Sequence, residues 1–437
     1  MTEQKCFKQL VRARMARTGE RYAAARRQIL GAEAEPVAKP QSPFKHFPGS
    51  VPAATALRIA LANAGVHAPH TGTPFTEAMA FGIGGGIGTG VFSFHYAKED
   101  FSSFFVAGRH LWQDDQAWFD AALKRLGAKP VIKEAGGAKA AEANLAEMLE
   151  GGHPVIAWLD AGTLPYRGLP ERWAGGAYHL VVVYAIDGSE ATVGDLADEP
   201  IQIPLADLTR ARLRIKKFKS RLLAVESSGK SPPLEPLARG GIRACVDGLT
   251  KAKMKNFTLD AFSTWAERLS GSKAAESWAK VFPRGKHLFT GLWSIHQYVD
   301  YYYTGGGLCR PMFAEFLAEA GAALDDAALT RASGHYTELG REWSALAEAA
   351  LPAAVPAFRK AGEALARLGE LYHSEGAGAT DEIRECWAEI EAIGAKVGKE
   401  FPLGEAECDP LLRDLQIRVR TLHRGETAAL EELRSWA

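Results

Sequence analysis

The sequence predicts an α+β protein in which an α/β domain is followed by an all-α domain. Continuous apolar runs typical of buried strands lie at 154–158, 179–185 and 191–194. Beyond residue 238, alanine, leucine and glutamate dominate, and the apolar positions follow helical spacing without a β-rich run. The chain has 437 residues, which is too long for one ordinary core, so we expect two domains.

Prolines and small residues mark linkers at 31–43 and 227–238 and divide the chain into three segments. Residues 1–43 are predicted to be a basic helical arm with its linker, since residues 1–30 carry eight Lys and Arg against two Glu. Such an arm either docks on the body as a solvated hairpin or contacts an acidic partner or nucleic acid. Residues 44–226 form the predicted α/β domain, and residues 227–437 form the helical one.

Within residues 44–226 the apolar spacing predicts helices at 53–65, 115–126 and 139–150, before the three strands. Asp187 and Gly188 separate the last two strands and suit a hairpin turn. Residues 210–219 alternate basic and apolar side chains, which indicates a half-exposed helix end or an edge strand, with phosphate binding as a further interpretation. In the second half we expect helices at 241–253, 258–270, 273–281, 286–303, 310–322, 326–350, 353–374, 379–399 and 411–436.

Composition excludes several classes of protein. The 52 basic side chains equal the 52 acidic ones, so no global charge favours nucleic acid or a membrane surface. The apolar runs are much shorter than the roughly 18 residues that a membrane span requires. Five scattered cysteines without a CxxC pair argue against a disulfide framework or a cysteine zinc site. We therefore expect a cytoplasmic protein without a membrane segment; the oligomeric state stays open.

The most informative residues are His179 and Asp195. His179 opens a predicted buried strand, and Asp195 ends the next one, sixteen residues later. Adjacent strands bring such side chains together, and a carboxylate that orients an imidazole is the base half of a catalytic triad. A buried structural histidine bonded to an aspartate would give the same pattern, so both interpretations remain open.

The surrounding segments resemble the butirosin biosynthesis protein H family. The resemblance covers roughly residues 44–225 and rests on 56–57, 76–79, 81–87, 94–96, 155–160, 164–166 and the strands with His179 and Asp195. It implies a papain-like, double-glycine-peptidase-like fold and an acyltransferase that moves an acyl group from a carrier protein to an aminoglycoside amine. The second half resembles the helical domain of unknown function that often follows, through 305–307, Arg310 and 313–317.

The nucleophile of that family is missing here. The resemblance places it in a Gly-x-His-Cys segment at the start of a helix, where this chain has Gly49-Ser50-Val51-Pro52. Proline suits the first turn of a helix but supplies no thiolate. Cysteine-dependent acyl transfer is therefore not expected. Ser50 and Thr55 flank the gap as candidate substitute nucleophiles, and Cys309 is a third candidate whose alternative role is a small apolar residue at a helix start.

The resemblance also indicates ligand-binding candidates. Glu77 and Asp160 are expected near the cleft, where either carboxylate would bind a ligand amine or serve as a helix cap or salt-bridge partner. The remaining candidates from matching segments are Gly84, Gly85, Tyr166 and Arg310. The glycine-rich run 82–90 is predicted to be a tight loop between a helix and a strand, which does not fit a nucleotide-binding loop. His67 and His70 have no acidic partner nearby in sequence, so we expect no metal and no cofactor.

Three functional hypotheses follow. The first is a degenerate acyltransferase-like protein that binds a small amine or an acyl-carrier ligand beside His179 and Asp195. If such a protein is an enzyme, it is an acyl or aminoacyl transferase, or an amide hydrolase, with His179 as base. The second is a non-catalytic partner protein that uses the cleft and the helical half as binding surfaces. The third and weakest, nucleic-acid binding through the basic arm, conflicts with the neutral overall charge.

Overall fold

The computed structural model describes residues 44–96, 98–227, 229, 231–374 and 376–437. The predicted basic arm lies outside the described residues. The first part contains helices α1–α5 and strands β1–β8, and the second part is helical throughout its described residues, which confirms the α+β class. Within the part of the chain described, every helix falls short of the length and apolarity that a bilayer crossing requires.

The elements of the first part alternate between helices and strands. The helices are α1 Pro52–Asn63, α2 Glu77–Ile83, α3 Asp115–Leu126, α4 Ala138–Glu150 and α5 Leu205–Arg214. The strands are β1 Ile87–Tyr96, β2 Phe101–Arg109, β3 Lys129–Lys133, β4 Val155–Asp160, β5 Tyr178–Asp187, β6 Glu190–Gly194, β7 Ile201–Pro204 and β8 Leu222–Glu226. The helices that the spacing predicts in this part are present within one or two residues at their ends.

Six strands form an antiparallel sheet in the order β3-β8-β4-β5-β6-β7, and β1 and β2 form a separate hairpin. Strand β5 is buried on both faces, because Leu180 and Val182 pack into one hydrophobic core and Val181 and Val183 into another. Two covered faces explain why the sequence of β5 is continuously apolar rather than alternating. The expected hairpin turn at Asp187 and Gly188 joins β5 to β6.

All the regular elements described in the second part are helices. They are α6 Leu234–Lys251, α7 Asp260–Leu269, α8 Trp278–Val281, α9 Lys286–Asp300, α10 Arg310–Leu324, α11 Ala327–Ala350, α12 Pro356–Ser374, α13 Thr380–Lys399 and α14 Glu405–Trp436. One hydrophobic core joins them to the first part; for example, Phe104 of β2 packs on Trp265 and Trp278 with ring centroids 5.0 and 5.4 Å away. The helical half therefore packs directly against the sheet-containing half.

Several expected boundaries differ in the structure. The linker expected at 227–238 is too long, because α6 begins at Leu234 and buries Leu237; Pro236 lies in its first turn, where proline is tolerated. Similarly, α14 begins six residues before the expected 411 and includes Pro410. Helix α8 covers only four residues of the expected 273–281. Residues 210–219 form a helix end rather than an edge strand.

Candidate functional site

His179 and Asp195 form a buried hydrogen-bonded pair. His179 is the second residue of β5, and Asp195 directly follows β6, its antiparallel neighbour. The imidazole Nε2 lies 2.8 Å from Asp195 Oδ1, and the exposed fractions of the two side chains are 0% and 2%. This pairing has the geometry of a base and its orienting carboxylate, as the spacing predicts.

Three further groups bind the Asp195 carboxylate. Its Oδ2 accepts a hydrogen bond from the Tyr166 hydroxyl at 2.8 Å and contacts Arg167 Nη1 at 3.5 Å, while Oδ1 also accepts from the Leu196 amide at 2.8 Å. Burial by itself raises the pKa of Asp195, but the charges of His179 and Arg167, with the hydrogen bonds from His179 and Tyr166, outweigh it and hold the pKa well below its usual range. The carboxylate is therefore ionised and fully engaged inside the protein.

Sequence reasoning missed Arg167 and Tyr303. The Tyr303 ring, from the loop after α9, stacks on the His179 imidazole with centroids 5.1 Å apart. Arg167 Nη2 donates to the Tyr303 hydroxyl at 3.0 Å. The other imidazole nitrogen, His179 Nδ1, is buried without a hydrogen-bond partner. The sequence signal for these two residues was indirect. Arg167 directly follows the family-like segment 164–166, and Tyr303 lies two residues before the family-like segment 305–307.

The start of α1, where the family nucleophile would lie, is capped by Glu77. Its carboxylate accepts from the amides of Ser50 at 2.9 Å and Val51 at 2.8 Å, and the Thr55 hydroxyl lies 2.8 Å away. Pro52 is the first helical residue and has no N–H to offer. Burial raises the pKa of Glu77, although these hydrogen bonds oppose the effect. Of the two roles considered for Glu77, the contacts are those of a helix cap.

None of the three candidate nucleophiles is hydrogen-bonded to His179. The Thr55 hydroxyl lies between Glu77 and the Val51 carbonyl oxygen, 3.0 Å from the latter. Ser50 packs against the loop at Gly305, where an added Cβ would lie 3.3 Å from the serine Cβ. Cys309 is buried, and burial raises its thiol pKa to about 12, so it is a neutral thiol at physiological pH.

The remaining predicted ligand-binding residues have internal partners. Asp160 is fully buried and accepts from the amides of Gly175 at 2.7 Å and Ala177 at 3.2 Å, which holds that loop against the sheet. Arg310 lies in the helical core, where its Nε donates to Glu426 at 2.6 Å and both side chains are fully buried. Arg310 therefore does not share a site with His179.

Gly84 and Gly85 lie in the loop between α2 and β1. This loop is shorter than the one expected at 82–90, since residues 82–83 end α2 and residues 87–90 begin β1. An added Cβ at Gly84 would lie 2.1 Å from the Trp118 ring. Gly85 has a positive φ of 114°, and a Cβ there would lie 2.5 Å from His110. Both positions require glycine because a larger side chain would clash with the aromatic rings that pack against the loop. Within the described residues no group of three or more His, Cys, Asp or Glu is arranged to hold a metal ion.

Two family models match the chain. Residues 53–196 match the model for the N-terminal region of butirosin biosynthesis protein H, and residues 206–390 match a domain of unknown function, DUF4872. The order of the matches is the one that the sequence resemblance predicts, and the resemblance is confirmed. The second match begins before the end of the sheet, at α5. No curated protein matches the chain.

Proposed function

Since residues 53–196 match the family model for the N-terminal region of butirosin biosynthesis protein H, we propose that the protein is a non-catalytic member of that acyltransferase family. It binds a small molecule, or the acyl end of a carrier-bound ligand, and releases it unchanged. The position that needs a thiolate is Pro52, and the retained histidine and aspartate serve to join the two halves of the molecule. The family match supports the general class only, and the loss of chemistry is our proposal.

The observation that carries this proposal is the closed environment of His179. A general base must come within about 2.6–3.2 Å of the proton that it removes. Tyr303 covers the face of the imidazole, and the nitrogen opposite the Asp195 bond has no hydroxyl or thiol beside it within hydrogen-bonding distance. The histidine is therefore oriented as a base but has no acid to deprotonate.

The start of α1 also lacks the donors for an oxyanion. Acyl transfer in triad enzymes uses backbone N–H groups near the nucleophile to stabilise the tetrahedral oxyanion. Here Pro52 has no N–H, and the amides of Ser50 and Val51 already donate to Glu77. An oxyanion at this helix end would lie beside a carboxylate, which opposes its formation.

The proposal is tested by incubating the protein with the acetyl thioester of N-acetylcysteamine and an aminoglycoside amine. We expect no acyl adduct on the intact protein by mass spectrometry, and transfer at the uncatalysed rate. The control is Ser50→Ala, which removes the half-buried hydroxyl candidate before α1 and leaves the backbone bond to Glu77. An acyl adduct on the wild type that disappears in Ser50→Ala or His179→Gln would overturn the proposal.

A second candidate function is that of a partner protein, and the packing of Tyr303 into the cleft favours it. The partner considered is an active, cysteine-containing enzyme. Under this hypothesis the two proteins co-purify, and His179→Gln leaves the association unchanged as measured by light scattering. Nucleic-acid binding through residues 1–43 stays a prediction; salt-dependent DNA binding that is lost on deleting these residues would support it.

A further inference from the structure

A small cavity lies where the two halves of the chain meet, next to the His179 pair but outside it. Its volume is about 60 Å³, room for roughly four water molecules. Six of its thirteen lining residues are aromatic; they are Trp173, Tyr301, Tyr302, Tyr303, Tyr372 and Trp387. Flat aromatic walls of this kind favour a planar group, which stacks on the rings.

Two hydrogen-bond donors at this cavity have no acceptor. Arg167 uses its two terminal nitrogens on Asp195 and Tyr303, but its Nε–H is buried without a partner. The indole Nε1–H of Trp173 is likewise buried without a partner. Unpaired buried donors are uncommon because each costs about 1–3 kcal/mol. Three further indole N–H groups, those of Trp118, Trp265 and Trp278, are also buried without a partner, but they lie in the hydrophobic core. Arg167 and Trp173 instead line a cavity, where there is room for an acceptor from outside the chain.

Several acceptors at the cavity already have donors within the chain. The described lining residues include no carboxylate, and the Tyr372 hydroxyl donates to the Arg167 carbonyl oxygen and accepts from the Trp387 indole. The Gln297 carbonyl oxygen accepts from Trp293. Aromatic walls attract cations, but a ligand amine here would also meet the positive charge of the Arg167 guanidinium, which opposes a second cation in the same cavity.

The charge of Arg167 is already balanced. Its guanidinium contacts Asp195 and lies 4.0 Å above the Tyr372 ring. An additional buried anion would gain less from a guanidinium that already has a counter-charge, and it would still have to be desolvated. An uncharged acceptor would bond to both free donors without this cost.

We propose that the cavity binds a small, uncharged planar group that presents a carbonyl oxygen, such as the amide or acyl end of a larger ligand, to Arg167 Nε and Trp173 Nε1. This inference deepens the proposed function by naming the ligand class. It differs from a small amine, which the sequence resemblance favours. It does not depend on whether acyl transfer occurs, which the mass-spectrometric experiment measures separately.

The test is a titration followed by the indole N–H signals of ¹⁵N-labelled protein. The probes are N-methylacetamide, acetate and methylammonium, which are all small and differ in charge. We expect N-methylacetamide to shift the Trp173 signal with saturation at millimolar concentration, acetate to act more weakly, and methylammonium to have no effect. The internal control is Trp436, whose indole donates to Asp326 far from the cavity.

Trp173→Phe assigns the signal and keeps the aromatic wall while removing one donor. In this variant the Trp387 indole serves as the reporter, and the amide should bind about fivefold more weakly because one hydrogen bond is lost. Trp436→Phe, the matched control, should bind as the wild type does. Failure of the amide to shift either cavity indole, or an equal or stronger response to acetate or methylammonium, would overturn the inference.

Discussion

The phenol ring of Tyr303 stacks on the imidazole of His179, with its plane tilted by 17° from the imidazole plane. The two residues come from opposite halves of the chain, and Arg167 joins them a second time through the Tyr303 hydroxyl and Asp195. His179 and Asp195 therefore take part in a contact between the two halves of the chain. The predictions below concern this contact, the Glu77 cap of α1 and buried His110.

Removing the ring of Tyr303 should loosen the junction between the halves. We expect Tyr303→Ala to lower the free energy of unfolding by about 2 kcal/mol, through lost packing on His179, and Tyr303→Phe by about 1 kcal/mol, through the lost bond from Arg167. Chemical denaturation measures both changes. The neighbouring Tyr302→Phe is the control and should change stability by less than Tyr303→Phe does. Equal effects would contradict the assigned role of the hydroxyl.

Neutralising Asp195 should be more damaging than neutralising a surface carboxylate. Asp195→Asn leaves Arg167 buried without its counter-charge, and we expect a loss of about 3 kcal/mol. Asp381, whose side chain is 92% exposed beside Arg384, offers the comparison; Asp381→Asn should cost less than about 1 kcal/mol. Thermal unfolding of both variants at pH 7 measures the difference in stability. Similar melting temperatures would show that the Asp195 charge does not stabilise buried Arg167.

Glu77 should stabilise the start of α1. Glu77→Ala leaves the amides of Ser50 and Val51 without an acceptor, and we expect a loss of about 3 kcal/mol. Glu77→Gln keeps one carbonyl oxygen as acceptor and should lose clearly less. Hydrogen exchange of the first turn of α1 is the direct measurement. An unchanged exchange rate in the alanine variant would show that water replaces the cap.

The protein should lose stability in mild acid because of His110. Burial, with the charges of Arg125 and Arg109, lowers the pKa of His110 from 6.5 to about 4. The unfolded chain therefore binds a proton below pH 6.5 that the folded chain takes up only near pH 4. Stability is complete above pH 6.5 and declines as the pH falls toward 4, by at most about 3 kcal/mol from this group.

The variant that checks this is His110→Asn, which cannot titrate in this range. It is expected to be less stable at pH 7, yet its free energy of unfolding should change less between pH 6.5 and pH 4 than that of the wild type. Urea denaturation at several pH values measures the slope. Parallel curves for the two proteins would assign the acid sensitivity to the other histidines whose pKa burial lowers, such as His46 and His296.

The apolar runs of the chain predicted the two strands at the centre of the sheet. Residues 155–158 and 179–185 lie in β4 and β5, whose side chains pack into hydrophobic cores on both faces, and such strands are almost continuously apolar. The run at 191–194 lies in β6. The shorter or edge strands β2, β3, β7 and β8 were not predicted. In β3 all five residues are at least partly exposed, and such a strand has no continuous apolar signal.

Spacing likewise predicted that His179 and Asp195 would meet, since neighbouring antiparallel strands place their ends together. Spacing could not decide whether Glu77 binds a ligand or caps a helix, because both roles need a carboxylate at the same position. The contacts with Ser50, Val51 and Thr55 are those of the capping role. Arg310 was expected with the ligand-binding residues, but its partner Glu426 lies 116 positions away, and a buried ion pair over such a distance leaves no local pattern.

By itself the sequence determined the α+β class and the presence of a histidine and an aspartate at the ends of neighbouring strands, because these depend on local periodicity and on the identity of single residues. Only the tertiary structure decided that Tyr303 covers His179, that Arg167 joins them to Asp195, and that an aromatic cavity lies between the halves. Tyr303 lies more than a hundred positions from both His179 and Arg167, and the packing of whole helices against a sheet brings them together. No short stretch of sequence carries that information.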